Sequence, residues 1–337
     1  MSEIEIIERK RYYWIDHARG FIMILLVLTE FLPQIIRTSA RFFLEHPENQ
    51  TTTTTMNFYD IGAPAFILIM GLLMPLSCSR RKEKSGVRKA ILHLAIRYII
   101  LLALGYLVII IDQGGVVKLV DGVPIVIWDV LPTLGLVGLL TIPFLFFNIR
   151  VRAIVASSML LFYQIMLIYG GWRWYAIESV HGGIFGTIFG FASLMIFATC
   201  FGELLLLNKT FEQKKKYLFY AIFGAICFIG GLLLAFIPEW YPNKRQVTLT
   251  YIMISMGASI LLSFLFIGLD KVVKKPIFIL DSYGKNPFLL YVIAIVLEFL
   301  IADIIGLEMD FIIFTIMVIV ITIIAIGLDK WGKVIKL

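Results

Sequence analysis

The first apolar stretch of the chain, residues 14–37, carries three ionisable side chains on one face. Asp16 precedes Arg19 by three residues (19 − 16), and Glu30 follows Arg19 by eleven (30 − 19). At about 100° per residue of an α-helix, the three positions fall within an arc of roughly 60°. Charges inside an apolar helix are costly and usually face a protein interior or a water-filled cavity. This face predicts a polar site; the alternative interpretation is a structural Asp16–Arg19 pair with a protonated Glu30 deeper in the helix.

Two further cations lie in apolar or helix-start positions. Arg97 is inside a long apolar run and keeps its charge even when buried, so it needs a carboxylate, carbonyl oxygens or an anionic ligand such as a phosphate. Lys285 lies between Gly284 and Asn286, directly before Pro287, and this order predicts a glycine turn, a cation and a helix start. Such a corner can bind phosphate, although many helix starts have a similar sequence.

A second group of polar residues lies near the opposite ends of the apolar runs. Asp60 begins one run, as either a helix cap or a site carboxylate. His181 is followed by two glycines, which allow the backbone to approach a ligand closely, but a loop histidine is also often only an exposed imidazole. Asn243 and Lys244 precede another run and predict substrate contacts. A histidine, or a carboxylate in a buried position, can remove a proton near neutral pH. The candidate catalytic residues are therefore Glu30, His181 and Asp60.

The composition identifies an integral membrane protein. Hydrophobic residues make up 60% of the 337 residues and the mean hydropathy is +0.93, whereas soluble domains contain about 45–50% apolar residues. The net charge of +7 gathers in short segments between apolar runs, which argues against a nucleic-acid partner. The three cysteines lack metal-ligand or disulfide spacing and are expected to be packing residues. Without a metal-binding or Walker motif, we expect no metal and no ATP-driven pump.

Apolar runs of about 18–25 residues predict membrane-spanning helices, and we find about ten. The chain is therefore predicted to be an all-α, polytopic transmembrane helix bundle that forms a single domain, residues 1–337. The segment 112–126 is expected to be an irregular connection or a re-entrant piece. The predicted spans are 14–37, 57–79, 89–111, 127–147, 152–170, 184–207, 216–237, 248–269, 286–305 and 310–328.

The charges of the loops orient this bundle. Basic residues cluster after the second, fourth, sixth, eighth and last spans, and the alternate loops carry fewer. Because cytoplasmic loops are rich in Lys and Arg, the basic loops and both termini are predicted to be cytoplasmic. Residues 1–13 then form a cytoplasmic tail, and 38–56 an extracytoplasmic loop. The cations Arg19, Arg97 and Lys285 lie toward the cytoplasm in this arrangement, and the carboxylates and the histidine toward the other side.

Several of these segments together resemble the heparan-α-glucosaminide N-acetyltransferase family of multi-pass membrane acyltransferases and its bacterial relatives. Residues 15–23 resemble its D-x-x-R-G signature, and residues 60–71 resemble the D-x-x-x-P-x-F…G pattern of its second span. Further similarities follow in the same order: Arg97 with Gly105, residues 183–187, residues 243–245, and residues 284–286 with Tyr291. The family's outer H-A-x-W segment, which carries its catalytic histidine, is not matched, and the corresponding interval is 50–59.

The resemblance implies transfer of an acetyl group from cytosolic acetyl-CoA to a sugar across the membrane, and a homodimer. We therefore predict a membrane acyltransferase that uses acetyl-CoA or another acyl-CoA and acts on a sugar or glycan acceptor on the extracytoplasmic side, in a bacterial-type plasma membrane surrounded by lipid. Glu30 or His181 would act as the base, and Asp60 would orient the acceptor or the histidine. The predicted CoA ligands are Arg19, Arg97, Lys285 and Asn286, and the predicted acceptor ligands are Asp16, Asn243 and Lys244.

Two other functions remain open at this point. The first is a transporter or carrier of a sugar or a lipid-linked substrate, in which Glu30 would bind the substrate or couple its movement to protons. The unmatched histidine segment favours this alternative, whereas the absence of a paired internal repeat argues against it. The second is a relative without activity that scaffolds a partner.

Overall fold

The computed structural model describes residues 12–32, 41–44, 47, 54–179, 181–273, 275–308 and 310–332, and the side chain of Glu30 is outside this description. The predicted all-α helix bundle is confirmed. Its helices are α1 Tyr13–Glu30, α2 Gly62–Ser85, α3 Val87–Gln113, α4 Val130–Thr141, α5 Ile149–Tyr169, α6 Trp172–Glu178, α7 Gly183–Leu207, α8 Gln213–Leu234, α9 Leu249–Val273, α10 Phe278–Lys285, α11 Pro287–Phe299 and α12 Phe311–Lys330. Within α7, Gly186–Phe191 and Glu203–Leu207 are π-helical, and α11 continues as the π-helix Leu300–Ile305.

Every predicted span corresponds to a helix among the described residues. In the described part of the chain, seven helices are long and apolar enough to cross a membrane, and α10 with α11 form an eighth if the bent pair is one span. The two other predicted spans are present as α1, which carries three charged residues, and α4, which has 12 residues. The presence of these helices is confirmed, whereas the number of ten spans and the cytoplasmic side of both termini stay predictions.

The connection between α3 and α4 differs from the sequence prediction. Residues 112–126 were expected to be irregular or re-entrant, but an antiparallel hairpin forms between β1 Val117–Val120 and β2 Val123–Val126. Its turn contains Asp121 and Gly122 with φ of 51° and 80°. Both residues thus adopt the left-handed conformation that two-residue hairpin turns require, and Asp-Gly is a favoured sequence for such turns.

The interior of the bundle consists mainly of α1, α2, α7 and α9. Helix α2 packs against α7, and α1 contacts α2, α9, α10 and α11. A buried ion pair joins α5 to α7, because Arg152, which is 0% exposed, binds Glu203 and donates to Thr199 at 3.1 Å. Cys78, Cys200 and Cys227 are buried and form no disulfide, as expected for packing residues. Helix α1 thus contacts both α2 and α11, and these three helices line part of the candidate site.

Two sequence predictions fall largely outside the described residues. Of the cytoplasmic tail predicted at 1–13, only Tyr12 and Tyr13 are described. Of the extracytoplasmic loop predicted at 38–56, the described parts are 41–44, 47 and 54–56. Both segments keep the status of predictions.

Candidate functional site

Several of the predicted site residues line two cavities, one along the middle of α2 and the other at its N-terminal end. The first, here called the basic cavity, has a volume of about 250 Å³ and is lined by α1, α2, α3 and the junction of α10 with α11. It lies toward the end of the bundle where α2 is followed by α3, next to the basic segment 80–89. Much of its wall is apolar, and its polar lining consists of Arg19, Ser77, His93, Arg97, Tyr98 and Lys285.

Close packing of α1 against α10 brings Arg19 and Lys285 to the same cavity. Gly20 lies against the backbone of α10, and Gly284 lies against the backbone of α1, so a side chain at either glycine would overlap the neighbouring helix. The sequence predicted a turn at Gly284, and this prediction is wrong because the residue lies inside α10 and is buried. Gly284 allows α10 to pack closely against α1, and this packing places the adjacent Lys285 near α1.

Two of the cations in the basic cavity are paired with carboxylates. Arg19 Nη2 donates to Asp16 Oδ1 at 2.8 Å, which is the structural pair that the sequence offered as an alternative. Lys285 Nζ lies 2.7 Å from Asp281 Oδ2, one turn earlier on α10, and it also pairs with Asp329 of α12. The expected role of Asp16 as an acceptor ligand stays a prediction.

Arg97 differs from these cations in its surroundings. Among the described residues it makes no hydrogen bond and no ion pair. Its guanidinium carbon lies 5.6 Å from the centroid of the Tyr98 ring and 6.0 Å from that of the Phe288 ring. Aromatic faces attract a cation but occupy none of its N–H donors in a linear hydrogen bond. Because an uncompensated charge inside a membrane is expensive, Arg97 is suited to bind an anion that enters the cavity.

The junction of α10 and α11 adds a helix N-terminus to the same wall. The two helices are bent by 83° at a break that contains Asn286. Helix α11 begins with Pro287, and Pro287 and Phe288 line the basic cavity. The N-terminal end of a helix carries partial positive charge and favours a nearby anion. Asn286 is buried and is not part of the lining, and its contact with CoA stays a prediction.

The second cavity, here called the histidine cavity, lies at the N-terminal end of α2 and has a volume of about 170 Å³. Its polar lining consists of Tyr59, Asp60, Asp129, His181, Lys244 and Tyr291. The rest of the wall is formed by Leu26, Ala63 and Val130. Glu30 ends α1 one turn beyond Leu26, with its side chain outside the described part of the chain. Three residues predicted from separate segments, Asp60, His181 and Lys244, thus share one cavity.

Two loops that are bonded to each other deliver His181 and Lys244. The backbone N–H of Gly182 donates to the carbonyl of Arg245 at 2.7 Å, and Arg245 Nε donates to the carbonyl of Ile177 at 2.5 Å. His181 has a left-handed φ of 46°, which is uncommon for a residue with a side chain. Backbone strain of this kind persists where the surroundings hold it, and it is concentrated at functional sites.

A carboxylate that the sequence analysis missed lies next to the histidine. Asp129 Oδ1 is 3.8 Å from His181 Nε2, and the same oxygen accepts the backbone N–H of Val130 at 2.6 Å at the start of α4. A carboxylate at this distance can orient an imidazole and stabilise positive charge that develops on it. The signal in the sequence was an Asp at the start of the fourth predicted span, on the side already assigned to Asp60.

Asp60 and Asn243 also have structural contacts. Asp60 Oδ2 accepts the backbone N–H of Asn57 at 2.7 Å, in a capping box at the helical turn that precedes α2. The residue therefore caps this turn and lines the histidine cavity, and the two open interpretations are compatible. Asn243 does not line the cavity, and its Oδ1 accepts the backbone N–H of Gln246 at 2.8 Å. This contact shapes the loop, and substrate binding by Asn243 stays a prediction.

Comparison with known families identifies the family of the chain. A family model described as an acyltransferase domain matches residues 12–329. The match covers nearly the whole chain, so the chain belongs to this family of membrane acyltransferases. A search of curated proteins finds no match. The prediction of a membrane acyltransferase is confirmed at this general level, and the narrower resemblance to heparan-α-glucosaminide N-acetyltransferases stays a prediction.

Proposed function

We propose that this acyltransferase-family protein transfers an acyl group from acyl-CoA in the basic cavity to a sugar or glycan acceptor in the histidine cavity. The observation that carries the proposal is the division of the site residues between two cavities that adjoin along α2 and α11. One cavity is cationic, and the other combines a histidine with carboxylates. A donor and an acceptor of different charge each have a matching chamber in this arrangement.

The chemistry of the basic cavity suits acyl-CoA. Acyl-CoA joins a phosphorylated nucleotide to a long pantetheine arm that ends in a thioester. Arg97 has no counter-ion among the described residues and would bind a phosphate, while Arg19 and Lys285 line the same cavity with their N–H donors beside their carboxylate partners. The apolar walls of α2 and α3 would contact the arm. Acetyl-CoA is the expected donor, by the resemblance stated above.

The orientation follows from the basic loops. The basic cavity lies toward the end of the bundle that carries segment 80–89, and such segments remain in the cytoplasm. This end would therefore face the cytosol, where acyl-CoA is made. The histidine cavity would face the opposite side of a bacterial-type plasma membrane, and the acceptor would enter there.

The transfer step requires a base for the acceptor proton. The acceptor oxygen or nitrogen attacks the thioester carbonyl carbon and forms the new C–O or C–N bond, and the C–S bond breaks. The proton passes from the acceptor to the imidazole of His181 and then to the CoA sulfur, so the products are the acylated acceptor and CoA. Asp129 would orient His181 and stabilise its charge. Asp60 and Lys244 would bind acceptor hydroxyl groups.

Glu30 is the competing candidate for the base. It ends α1 one turn beyond Leu26, which lines the histidine cavity. Loss of a general base typically lowers the rate by about 10²- to 10⁴-fold. The two assignments therefore make opposite predictions for Glu30→Gln and His181→Gln, because only the variant that removes the base should lose turnover while it still binds acetyl-CoA.

One feature of the fold also suits a carrier. Helices that are interrupted in the membrane bind substrates in many transporters, and α10 and α11 form such an interrupted pair. A carrier would bind a sugar without consuming acyl-CoA. Membership of the acyltransferase family favours the enzyme.

The experiment uses the purified full chain in proteoliposomes with radiolabelled acetyl-CoA and glucosamine. We expect acetyl-CoA binding together with hydrolysis, self-acetylation or formation of N-acetylglucosamine. Arg88→Gln, at an exposed position on α3, is the matched control and should behave as wild type. Absence of both binding and turnover with acetyl-, propionyl- and butyryl-CoA would overturn the proposal.

A further inference from the structure

The two cavities adjoin at the same level of two helices. On α2, Ala63 lines the histidine cavity and Phe66 lines the basic cavity. On α11, Phe288 lines the basic cavity and Tyr291 lines the histidine cavity. In both helices, the residue that lines one cavity and the residue that lines the other are three positions apart, a rise of about 4.5 Å along the axis. The wall between the cavities is therefore about one helical turn thick at this level.

An aromatic pair fills this wall. The ring centroids of Phe66 and Phe288 are 5.2 Å apart, and the ring planes meet at 74°, the edge-to-face arrangement that aromatic pairs prefer. The two side chains are only 3% and 5% exposed. Arg97 lies near the same ring, with its guanidinium carbon 6.0 Å from the centroid of Phe288. The pair thus joins α2 to α11 next to a cation.

We propose that Phe66 and Phe288 form a partition that determines which acyl groups are transferred. The inference rests on the proposed function and names the determinant of its donor range. The pantetheine arm and the phosphates stay on the basic side, and only the acyl group passes the rings to meet the acceptor. A short acyl group needs a small displacement of the rings, whereas each added methylene must be packed into a filled wall.

The two cavities beside the partition differ in the side chains that surround the acceptor and the pantetheine arm. Ala63 is the first α2 residue beyond Phe66 in the lining of the histidine cavity, and its methyl group leaves space for the acceptor. The wall on the basic side instead contains flexible side chains such as Met70 and Met74, which can adapt to the arm. The two phenylalanine side chains therefore determine the size of acyl group that can pass. The wild-type protein should prefer acetyl-CoA to longer thioesters.

The test measures kcat/KM for acetyl-, propionyl-, butyryl- and hexanoyl-CoA with purified full-length variants. A pocket typically discriminates one methylene by roughly 10- to 200-fold, so Phe66→Ala and Phe288→Ala should raise the butyryl-to-acetyl ratio at least about tenfold. Phe66→Leu keeps more volume and should give a smaller rise. Phe191→Ala is the control, because Phe191 is 1% exposed, pairs with Tyr251 and lines neither cavity. An unchanged ratio in folded partition variants, or an equal change in the control, would overturn the inference.

A second measurement does not depend on acyl transfer. In a chain whose three cysteines are replaced by alanine, Ala63→Cys reports access to the histidine cavity. A small anionic methanethiosulfonate is applied to sealed vesicles from the side of the basic segment 80–89. We expect no labelling of Ala63→Cys with Phe66 present and clear labelling when Phe66→Ala is added. Equal labelling in both would overturn the partition. If labelling behaves as expected but no thioester is consumed, the proposed function fails and the partition stands as a barrier.

Discussion

Replacement of Arg97 by glutamine separates two effects that usually change together, ligand affinity and protein stability. Among the described residues Arg97 has no carboxylate partner, so Arg97→Gln leaves no anion unpaired. In the protein without ligand, the change removes a charge that the membrane interior disfavours. The free energy of unfolding of Arg97→Gln should therefore equal or exceed that of the wild type.

The affinity for CoA should fall in the same variant. A hydrogen bond to a charged group contributes about 1.5–3 kcal/mol, and about 1.4 kcal/mol corresponds to a factor of ten. Loss of one such contact therefore weakens binding roughly 10- to 100-fold. Arg19 and Lys285 remain, so binding is weakened and not abolished. Arg97→Lys keeps the charge but loses the planar fork of donors, and its affinity should lie between those of the other two proteins.

Two measurements on the same preparation test whether Arg97→Gln lowers the affinity for CoA without lowering the stability of the protein. Calorimetric titration with CoA gives the affinity, and thermal unfolding followed by tryptophan fluorescence gives the stability. Arg88→Gln, on the exposed part of α3, should change neither. CoA affinity within about twofold of wild type, where an energy of only about 0.4 kcal/mol is lost, would refute the assignment of Arg97 as the anion ligand. So would a loss of stability as large as that of Lys285→Gln.

Three further outcomes follow from the contacts. Lys285→Gln removes the lysine that bridges Asp281 and Asp329 and should lower the free energy of unfolding by about 3 kcal/mol in chemical denaturation, and neutralising those carboxylates as well should restore much of it. Gly284→Ala would overlap the backbone of α1 and should destabilise by about 1–3 kcal/mol, whereas Gly268→Ala, with open space around it in α9, should be neutral or stabilising in the same assay. Asp129→Asn should lower kcat about tenfold or more at neutral pH, with an unchanged KM for acetyl-CoA, because it removes the partner of His181 but no donor ligand.

The helices were largely predictable because apolar length is a local property of the chain. The run at 184–207 corresponds to α7, Gly183–Leu207, within one residue. The run at 57–79 was ended too early, since the sequence becomes basic at Arg80 while the helix continues to Ser85. Charged residues with good helix propensity extend a helix beyond its apolar part, and the chain turns only at Gly86, where φ is 86°.

The partners within the site were less predictable because they depend on contacts between distant segments. Asp129 and His181 are 52 residues apart (181 − 129), and no spacing rule connects them. Gly284 was interpreted as a turn because glycine favours turns, but the residue serves a close approach of two helices. The hairpin at Val117–Val126 was missed because its strands have only four residues each and alternate weakly between exposed and buried positions.

The charged face of α1 was predicted correctly from the sequence, but only the fold shows which cavities this face lines. The sequence grouped Arg19 and Glu30 on one face, and the helix carries that face past both cavities, because Arg19 lines one and Leu26 lines the other. Eleven residues of α-helix span about 16 Å, which is too far for both groups to contact one small substrate. Such a distance instead suits a donor whose charged part and reactive end are separated by a long arm, as in acyl-CoA. Under the proposed function, the spacing that first indicated a single site is explained by two chambers that one extended donor connects.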